Sequence, residues 1–355
     1  MTARLAIVTL QYGHWPDTVA CLQSLVPSVA AGLARVIVVD NASVDDSAAQ
    51  VVQWIEGAHA HRPSPPEDVL AAHWHPLVGC VGARWQTITP GAATAPTAWT
   101  FVQSPVNRGF AAGMNAGLRL ALTDPSIDAI WLLNNDTVVA PGAVKAIMTA
   151  LDASHLATGQ FGTTVCHYDR PTILQTIGWC RWNPWLATSH RLGDGEVMAD
   201  HDRHAVQHPG YVYGASWVLR ASALREVGLL SEEGFLYGEE LDWSCRASGR
   251  WQTGLIEDAV VWHREGATIG ARASTPRARS ELADLCGISA RLRLTRRFFP
   301  RQLPAVYSSL LGAVLNRLRQ GDARRAASVL RLVLAGGVPA PWPASARAPH
   351  SSTES

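Results

Sequence analysis

The apolar run Ala129-Ile130-Trp131-Leu132-Leu133 ends without transition in Asn134-Asn135-Asp136-Thr137. A strand that empties into amides and a carboxylate puts hard oxygen ligands at its carboxyl end, where open α/β sheets bind ligands. By itself the segment reads equally well as a turn with a polar cap ahead of Pro141, a residue suited to the first position of a helix. The rest of the chain decides between the two.

The amino-terminal part repeats the pattern. Leu5 to Leu10 is a short apolar run, Asp17 can cap a helix carrying Val19, Ala20, Leu22, Leu25 and Val26, and Val36-Ile37-Val38-Val39 is a second apolar run. This predicts a β-α-β unit whose strands are buried on both faces. The second run stops at Asp40-Asn41-Ala42-Ser43. Asp45, Asp46 and Ser47 can cap the next helix, whereas Asp40 comes too early and is a better ligand candidate. From about 57 to 98 the chain turns to Pro, Gly, Ala and His, with Pro63, Pro65, Pro66, Pro76, Pro90 and Pro96, and reads as an irregular insertion. Regularity returns at Thr100 to Gln103. Gly109, Gly113 and Gly117 then fall at i, i+4 and i+8, a smooth helical stripe that admits a close strand or ligand. Their spacing misses the dinucleotide fingerprint, and no long apolar segment surrounds them as a membrane dimer face requires.

Composition bounds the function. With 355 residues the chain fits one large domain and an appendage, and a formal net charge of +1 gives no bulk attraction to nucleic acid. Six cysteines show no metal-ligand spacing, so reduced thiols and a cytoplasmic location are expected. The apolar start is too short for a signal sequence, and no uninterrupted apolar segment reaches the ~18 residues of a spanning helix.

Taken in order, Ile7 to Trp15, Val38-Val39-Asp40-Asn41-Ala42-Ser43, Asn107-Arg108-Gly109-Phe110-Ala111-Ala112-Gly113 and Leu132-Leu133-Asn134-Asn135-Asp136 resemble the inverting family 2 glycosyltransferases of GT-A fold, especially their bacterial rhamnosyltransferase-like branch. The likeness continues through Gly214-Ala215-Ser216, Phe235 to Trp243 and Ala259 to His263, and so covers roughly Leu5 to Gly270 outside the insertion. It implies an α/β domain over 1–270 with a mostly parallel nucleotide-binding sheet. The substrates it implies are a nucleotide diphosphosugar donor and a surface-glycan or lipid-linked acceptor. By the same resemblance, Asp136 and His263 hold a divalent cation, Mg²⁺ or Mn²⁺. Thr9, Leu10, Gln11, Asp40, Asn41, Asn107, Gly109, Phe110, Asn115, Asn134 and Asn135 line the nucleotide sugar, and Gly214, Ala215 and Trp243 the acceptor. Gln11 stands where the family usually has Asn, and Arg108 where Leu is common; a surface position is expected for Arg108.

The residue types suit that chemistry. Displacing a nucleoside diphosphate from a sugar develops negative charge on the leaving group, so a cation and an acceptor-activating base are needed. Glu239-Glu240-x-Asp242 supplies carboxylates, with Glu240 in the place of the family's catalytic Asp. Crowded carboxylates raise one another's pKa toward the value useful for a base, although acidic residues also stabilise a helix N-terminus. His167, His190, His201, His204 and His208 are expected to border the acceptor region. A sugar nucleotidyltransferase is the alternative enzyme, but the glycine-rich basic loop expected after its first strand is missing from Gln11 to Trp15. A catalytically silent glycan-binding module would suit the 14 tryptophans.

Between Arg291 and Arg331 ten arginines face one acidic residue, Asp322, with leucines and phenylalanines at helical spacing. The segment 271–338 therefore reads as basic amphipathic helices. They either pack on the catalytic domain or lie peripherally on the anionic inner face of the cell membrane. Residues 339–355 read as a disordered tail.

Overall fold

The computed structural model describes residues 3–57, 85–88, 97–201, 210–264 and 281–337. The amino-terminal unit is β1 (Leu5–Gln11), α1 (Trp15–Ala30), β2 (Ala34–Asp40) and α2 (Ser47–Ile55). It is followed by β3 (Trp85–Ile88), β4 (Trp99–Gln103), α3 (Phe110–Ala121), β5 (Ala129–Asn134), β6 (Thr137–Val139) and α4 (Ala143–Ala153). The second half runs β7 (Thr158–His167), β8 (Leu174–Thr176), β9 (Trp179–Asn183), β10 (Thr188–Arg191), β11 (Tyr211–Val212), β12 (Ser216–Arg220), α5 (Ala221–Val227), α6 (Glu239–Ala247) and β13 (Gln252–His263). Three helices close the described chain: α7 (Glu281–Phe298), α8 (Leu303–Arg319) and α9 (Ala323–Leu334).

The main sheet has the order β3-β4-β2-β1-β5-β12-β7-β13-β6, with β8 on β7. Strands β3 to β5 are all parallel, β12 is antiparallel to both neighbours, and β7 and β13 are again parallel. This is the expected α/β architecture, a mostly parallel sheet flanked by helices and consistent with a GT-A fold. Continuous apolar runs meet that demand because both faces are covered. Leu5 and Ile7 join the core with α1, α2 and α4, while Ala6 and Val8 join the core with α3. Gly113 and Gly117 explain how α3 comes so close to β1. A Cβ on either would stand 2.4 Å from Leu10 Cδ1 or Val8 Cγ1.

Strand order reverses at β1, with β2 on one side and β5 on the other, and the carboxyl ends of strands at such a switch point are where open α/β sheets bind ligands. Three local expectations are corrected. The segment read as irregular contains the edge strand β3, parallel to β4. Helix α1 is capped by His14 without a side-chain bond, and Asp17 lies in the first turn, where it meets Arg264 and His14. Pro141 precedes α4 instead of opening it, since Gly142 at φ 86° is the cap.

The carboxyl-terminal helices pack on the domain. Leu292, Val306, Leu310, Val329 and Val333 form their own core together with Ala187. Arginines of this segment are drawn into protein contacts: Arg293 donates to the Tyr237 carbonyl, Arg297 to Asp242, and Arg317 to Asp284. Residues 339–355, read as a tail, lie outside the described residues. Among the described residues no helix is long and apolar enough to cross a membrane.

Candidate active site

The ends of β1 and β2 carry a tight polar network. Asp40 is fully buried and accepts from Gln11 Nε2 at 3.1 Å, from the Ser43 hydroxyl and from the Ser43 amide at 3.1 Å. Asn41 Nδ2 donates to Asn107 Oδ1 at 3.0 Å and to the Gly109 carbonyl at 3.1 Å, and Asn107 Oδ1 also takes the Gly109 amide at 2.9 Å. Loop β2–α2 is thereby tied to the start of α3. Two atoms stay unsatisfied: Thr9 Oγ1 and Gln11 Oε1 are buried and have no hydrogen-bond partner. Orphaned buried polar atoms cost about 1–3 kcal/mol each, and both lie on one face of β1, two residues apart. Such atoms fit a bound partner with N–H groups.

Beyond β5 the Asn134-Asn135-Asp136 turn is held in place by its neighbours. The Asn134 amide donates to the Ala215 carbonyl at 3.0 Å, Asn135 Nδ2 donates to Thr18 Oγ1 at 2.9 Å, and the Arg264 amide donates to the Asp136 carbonyl at 2.9 Å. The pairing of β6 with β13 sets His263 opposite Thr137. His263 Nε2 consequently sits 3.2 Å from Asp136 Oδ1, the two residues being 4% and 7% exposed.

The neighbours of His263 fix its tautomer. Gln175 Nε2 donates to the His263 carbonyl at 2.7 Å, which turns Gln175 Oε1 toward His263 Nδ1 at 2.9 Å. Nδ1 therefore carries a proton toward Gln175, and Nε2 faces a carboxylate oxygen. A ring nitrogen and a carboxylate oxygen at that distance share a proton or take a cation between them. Burial pushes the Asp136 pKa up, but the His263 ring and the Arg264 guanidinium outweigh it and hold the carboxyl below its ordinary value. An ionised carboxylate and an imidazole oriented through its far nitrogen are a donor pair suited to a divalent cation. No group of three or more His, Cys, Asp or Glu able to hold a metal occurs among the described residues. Remaining positions around a cation held there would fall to water or ligand oxygens.

The acidic cluster opens α6, as the alternative reading of its sequence also requires. Glu239 is 2% exposed, and its Oε1 has no partner. Burial, then the adjacent Glu240, push its pKa up to about 8. Burial also raises that of Glu240. Gly214 makes room for Glu240: a Cβ there would stand 1.7 Å from Glu240 Oε1. Because β12 is hydrogen-bonded to β5, Gly214 and Ala215 lie beside Asn134. Tyr213, the residue before Gly214, sets its ring edge-on to His263 at 6.1 Å and 68°. The cation pair and the Glu240 carboxyl thus flank one short stretch, Tyr213 to Ala215. The loop before α6 is strained there, with Tyr237 at φ 74° and Gly238 at φ 92°.

Three expected site residues serve the scaffold. Asn115 is 1% exposed and uses its amide on the Leu230 backbone and Glu232. Trp243 is fully buried, edge-on to Trp217 at 5.7 Å, and donates to the Gly228 carbonyl, so no acceptor reaches it. Asp242 has Arg246 Nε at 2.7 Å on one oxygen and Arg297 at 3.1 Å on the other, which links α6 to α7. Its carboxylate is thereby occupied. Leu10 and Phe110 are half-buried against the α3 core. Arg108 lies at the surface as expected, paired with Glu232 at 3.2 Å. Of the histidines, His167 lies next to the pair: it is opposite His263 in the β7–β13 pairing and 3.4 Å from Gln175. His204 and His208 fall outside the described residues.

Sequence reading missed Gln175, Tyr213 and the Arg264 cluster. Arg264 pairs with the buried Asp17, donates to Tyr168 Oη at 2.6 Å and lies 4.1 Å over the Tyr168 ring. Only the adjacency of Arg264 to His263 was a signal; Gln175 follows from strand pairing alone.

Residues 91–205 match the family model described as Glycosyl transferase family 2. The matched stretch includes Asn107, Gly109 and Asn134 to Asp136, and it supports a glycosyltransferase. No curated protein matches the chain. Among solved structures, similarity extends to the mannosyltransferase PcManGT from Pyrobaculum calidifontis in complex with GDP-Man and Mn²⁺, at 14% identity over 96% of this chain and 82% of that one, TM-score 0.49. GalNAc-T7 with UDP, GalNAc and Mn²⁺ is similar at 12% identity over 74% of this chain and 44% of that one, TM-score 0.47. TarS residues 1–349 from S. aureus is similar at 12% identity over 95% and 92%, TM-score 0.45.

Proposed function

We propose that the protein is an inverting glycosyltransferase that moves a sugar from a nucleotide diphosphosugar to a hydroxyl of a glycan or lipid-linked acceptor. The observation that carries this reading is the buried Asp136–His263 pair, whose carboxylate oxygen and ring nitrogen face each other at the carboxyl end of β5 beside the Glu240 carboxyl. The family match over residues 91–205, which include Asp136, supports a glycosyltransferase.

Thr9 and Gln11 offer their unsatisfied oxygens to the donor's base, and the Asn41–Asn107–Gly109 network shapes the wall of that pocket. Asp136 and His263 would hold Mg²⁺ or Mn²⁺, which supplies positive charge to the diphosphate as it leaves. Glu240 takes the proton from the acceptor hydroxyl, whose oxygen bonds to the anomeric carbon from the face opposite the diphosphate. The bond from that carbon to the phosphate oxygen breaks with its electron pair, and the nucleoside diphosphate departs. Back-side attack inverts the anomeric centre. Deoxythymidine diphosphate rhamnose is the first donor to test, with uridine diphosphate sugars second.

The test is a thermal-shift screen of nucleotide sugars with and without Mn²⁺, followed by turnover assays. A true donor at about 100 times its Kd stabilises the fold by roughly 2.7 kcal/mol. If no nucleotide sugar raises the unfolding temperature and none is turned over, the proposal fails.

A further inference from the structure

The outer surface of the α8–α9 hairpin has an amphipathic character that the reaction does not use. On α8, Arg317 pairs with Asp284 of α7 and Ser309 accepts from Arg291, which marks the side turned to α7. Val306, Leu310 and Val314 are buried beneath. Leu311, Leu315 and Leu318, at i, i+4 and i+7, fall together on the other flank and are 47%, 55% and 49% exposed. On α9, Ser328 donates to Glu281 of α7, and Arg324, Arg331 and Leu334 lie on the exposed side, with Leu334 77% exposed.

Arg319, one residue beyond Leu318, is exposed, and so are Arg324 and Arg331 on α9. The one carboxylate on the hairpin, Asp322, accepts the Arg325 amide at the start of α9 and pairs with the Arg325 side chain at 3.7 Å. A hairpin that exposes a leucine strip and three guanidinium groups, and whose own single carboxylate is engaged by Arg325, complements a surface that is anionic outside and apolar beneath. We propose that this face docks on an anionic lipid bilayer, leucines entering the acyl boundary and arginines meeting headgroup phosphates. Charge disfavours a second copy on the same face, since like patches would bring arginines together. The leucines disfavour a nucleic acid, which offers them nothing to enter.

Helix α7 ties this face to the site. Arg297 binds Asp242, Arg293 binds the Tyr237 carbonyl, and Leu294 lies against Gly238. The plane of the bilayer is thereby held in a set relation to Glu240, an arrangement that serves a lipid-linked acceptor; this use rests on the function proposed above, whereas the docking does not.

The full chain is to be sedimented with vesicles of phosphatidylcholine alone or mixed with phosphatidylglycerol, at low and high salt. Binding is expected only to the mixed vesicles and is released by salt. The triple variant Leu311→Ser, Leu315→Ser, Leu318→Ser should bind roughly tenfold or more weakly, with unchanged circular dichroism and melting temperature because these side chains are exposed. The triple variant Arg319→Glu, Arg324→Glu, Arg331→Glu should lose binding as well, which supports the proposal even if the first variant misfolds. No wild-type binding, or equal binding by all three chains, overturns it. A wild-type dimer dissolved by the leucine variant, or binding that emerges only on removal of residues 338–355, assigns the face to another occupant and also overturns it. Vesicle binding without turnover of any nucleotide sugar would refute the proposed reaction and leave the docking face standing.

Discussion

Each side chain at the site makes a separable claim. Glu240→Gln, nearly isosteric but unable to take the acceptor proton, is expected to lower kcat by roughly 10² with donor affinity little changed, read by steady-state kinetics and donor titration. Gly214→Ala should act through the same carboxyl. Its new methyl meets only the tip of a flexible side chain, so the fold survives while Glu240 is displaced. A double variant no slower than Glu240→Gln alone would show that both act at one point; additive losses would separate them. Gln175→Leu frees the His263 ring and should weaken Mn²⁺ binding by about 10–100-fold, measured by metal titration of the folded variant. Glu239 gives a pH signature. Its folded-state pKa is raised from 4.5 to about 8, so the protonated form is the stable one in the fold. The associated stability is complete below pH 4.5 and is lost as pH climbs to about 8. Glu239→Gln should flatten the decline of melting temperature across that window. A decline of equal steepness in both proteins would place the titration elsewhere.

At the level of elements, α3 on β1 is the contact most open to test. Gly117→Ala gains about 1 kcal/mol in helix propensity, but its methyl strikes the stiff Val8 side chain on a core strand. A lowered urea midpoint with unchanged slope is expected, and a raised midpoint would mean that the helix can lift off. The glycine stripe announced this contact because its meaning is local: three small residues share one face. The strand-end positions of Asp40 and Asp136 were legible for the same reason, each closing an apolar run. The partners of Asn115, Asp242 and Trp243, which are Glu232, Arg297 and Trp217, were not legible because they come from distant segments or other strands. Periodicity tells which residues a helix turns inward, but not what waits there. The arginine-rich helices show the same limit, since a leucine facing the core and one facing outward have the same spacing.

For the whole molecule, the helices after β13 are packed against α6. Leu241 of α6 shares a core with Leu294, and Asp242 relies on Arg297. A chain ending at residue 280 is therefore expected to aggregate or to melt at markedly lower temperature, which size-exclusion chromatography and a melting curve would reveal. An intact monomer of unchanged melting temperature would make these helices an independent attachment. The position of β13 has a further consequence, in time. It lies between β7 and β6, although β6 precedes β7 by one helix in the chain, and the Arg264–Asp17 pair at its end closes a loop of 247 residues. Such a closure costs about 5 kcal/mol of chain entropy before any contact offsets it, which makes it a late event in folding. A nascent polypeptide can build β1 to β5 and expose Asp136 well before His263 has been synthesised. During refolding from urea, helical circular dichroism should therefore recover first and Mn²⁺ capture last, so that competence for chemistry is withheld until the final strand has threaded home.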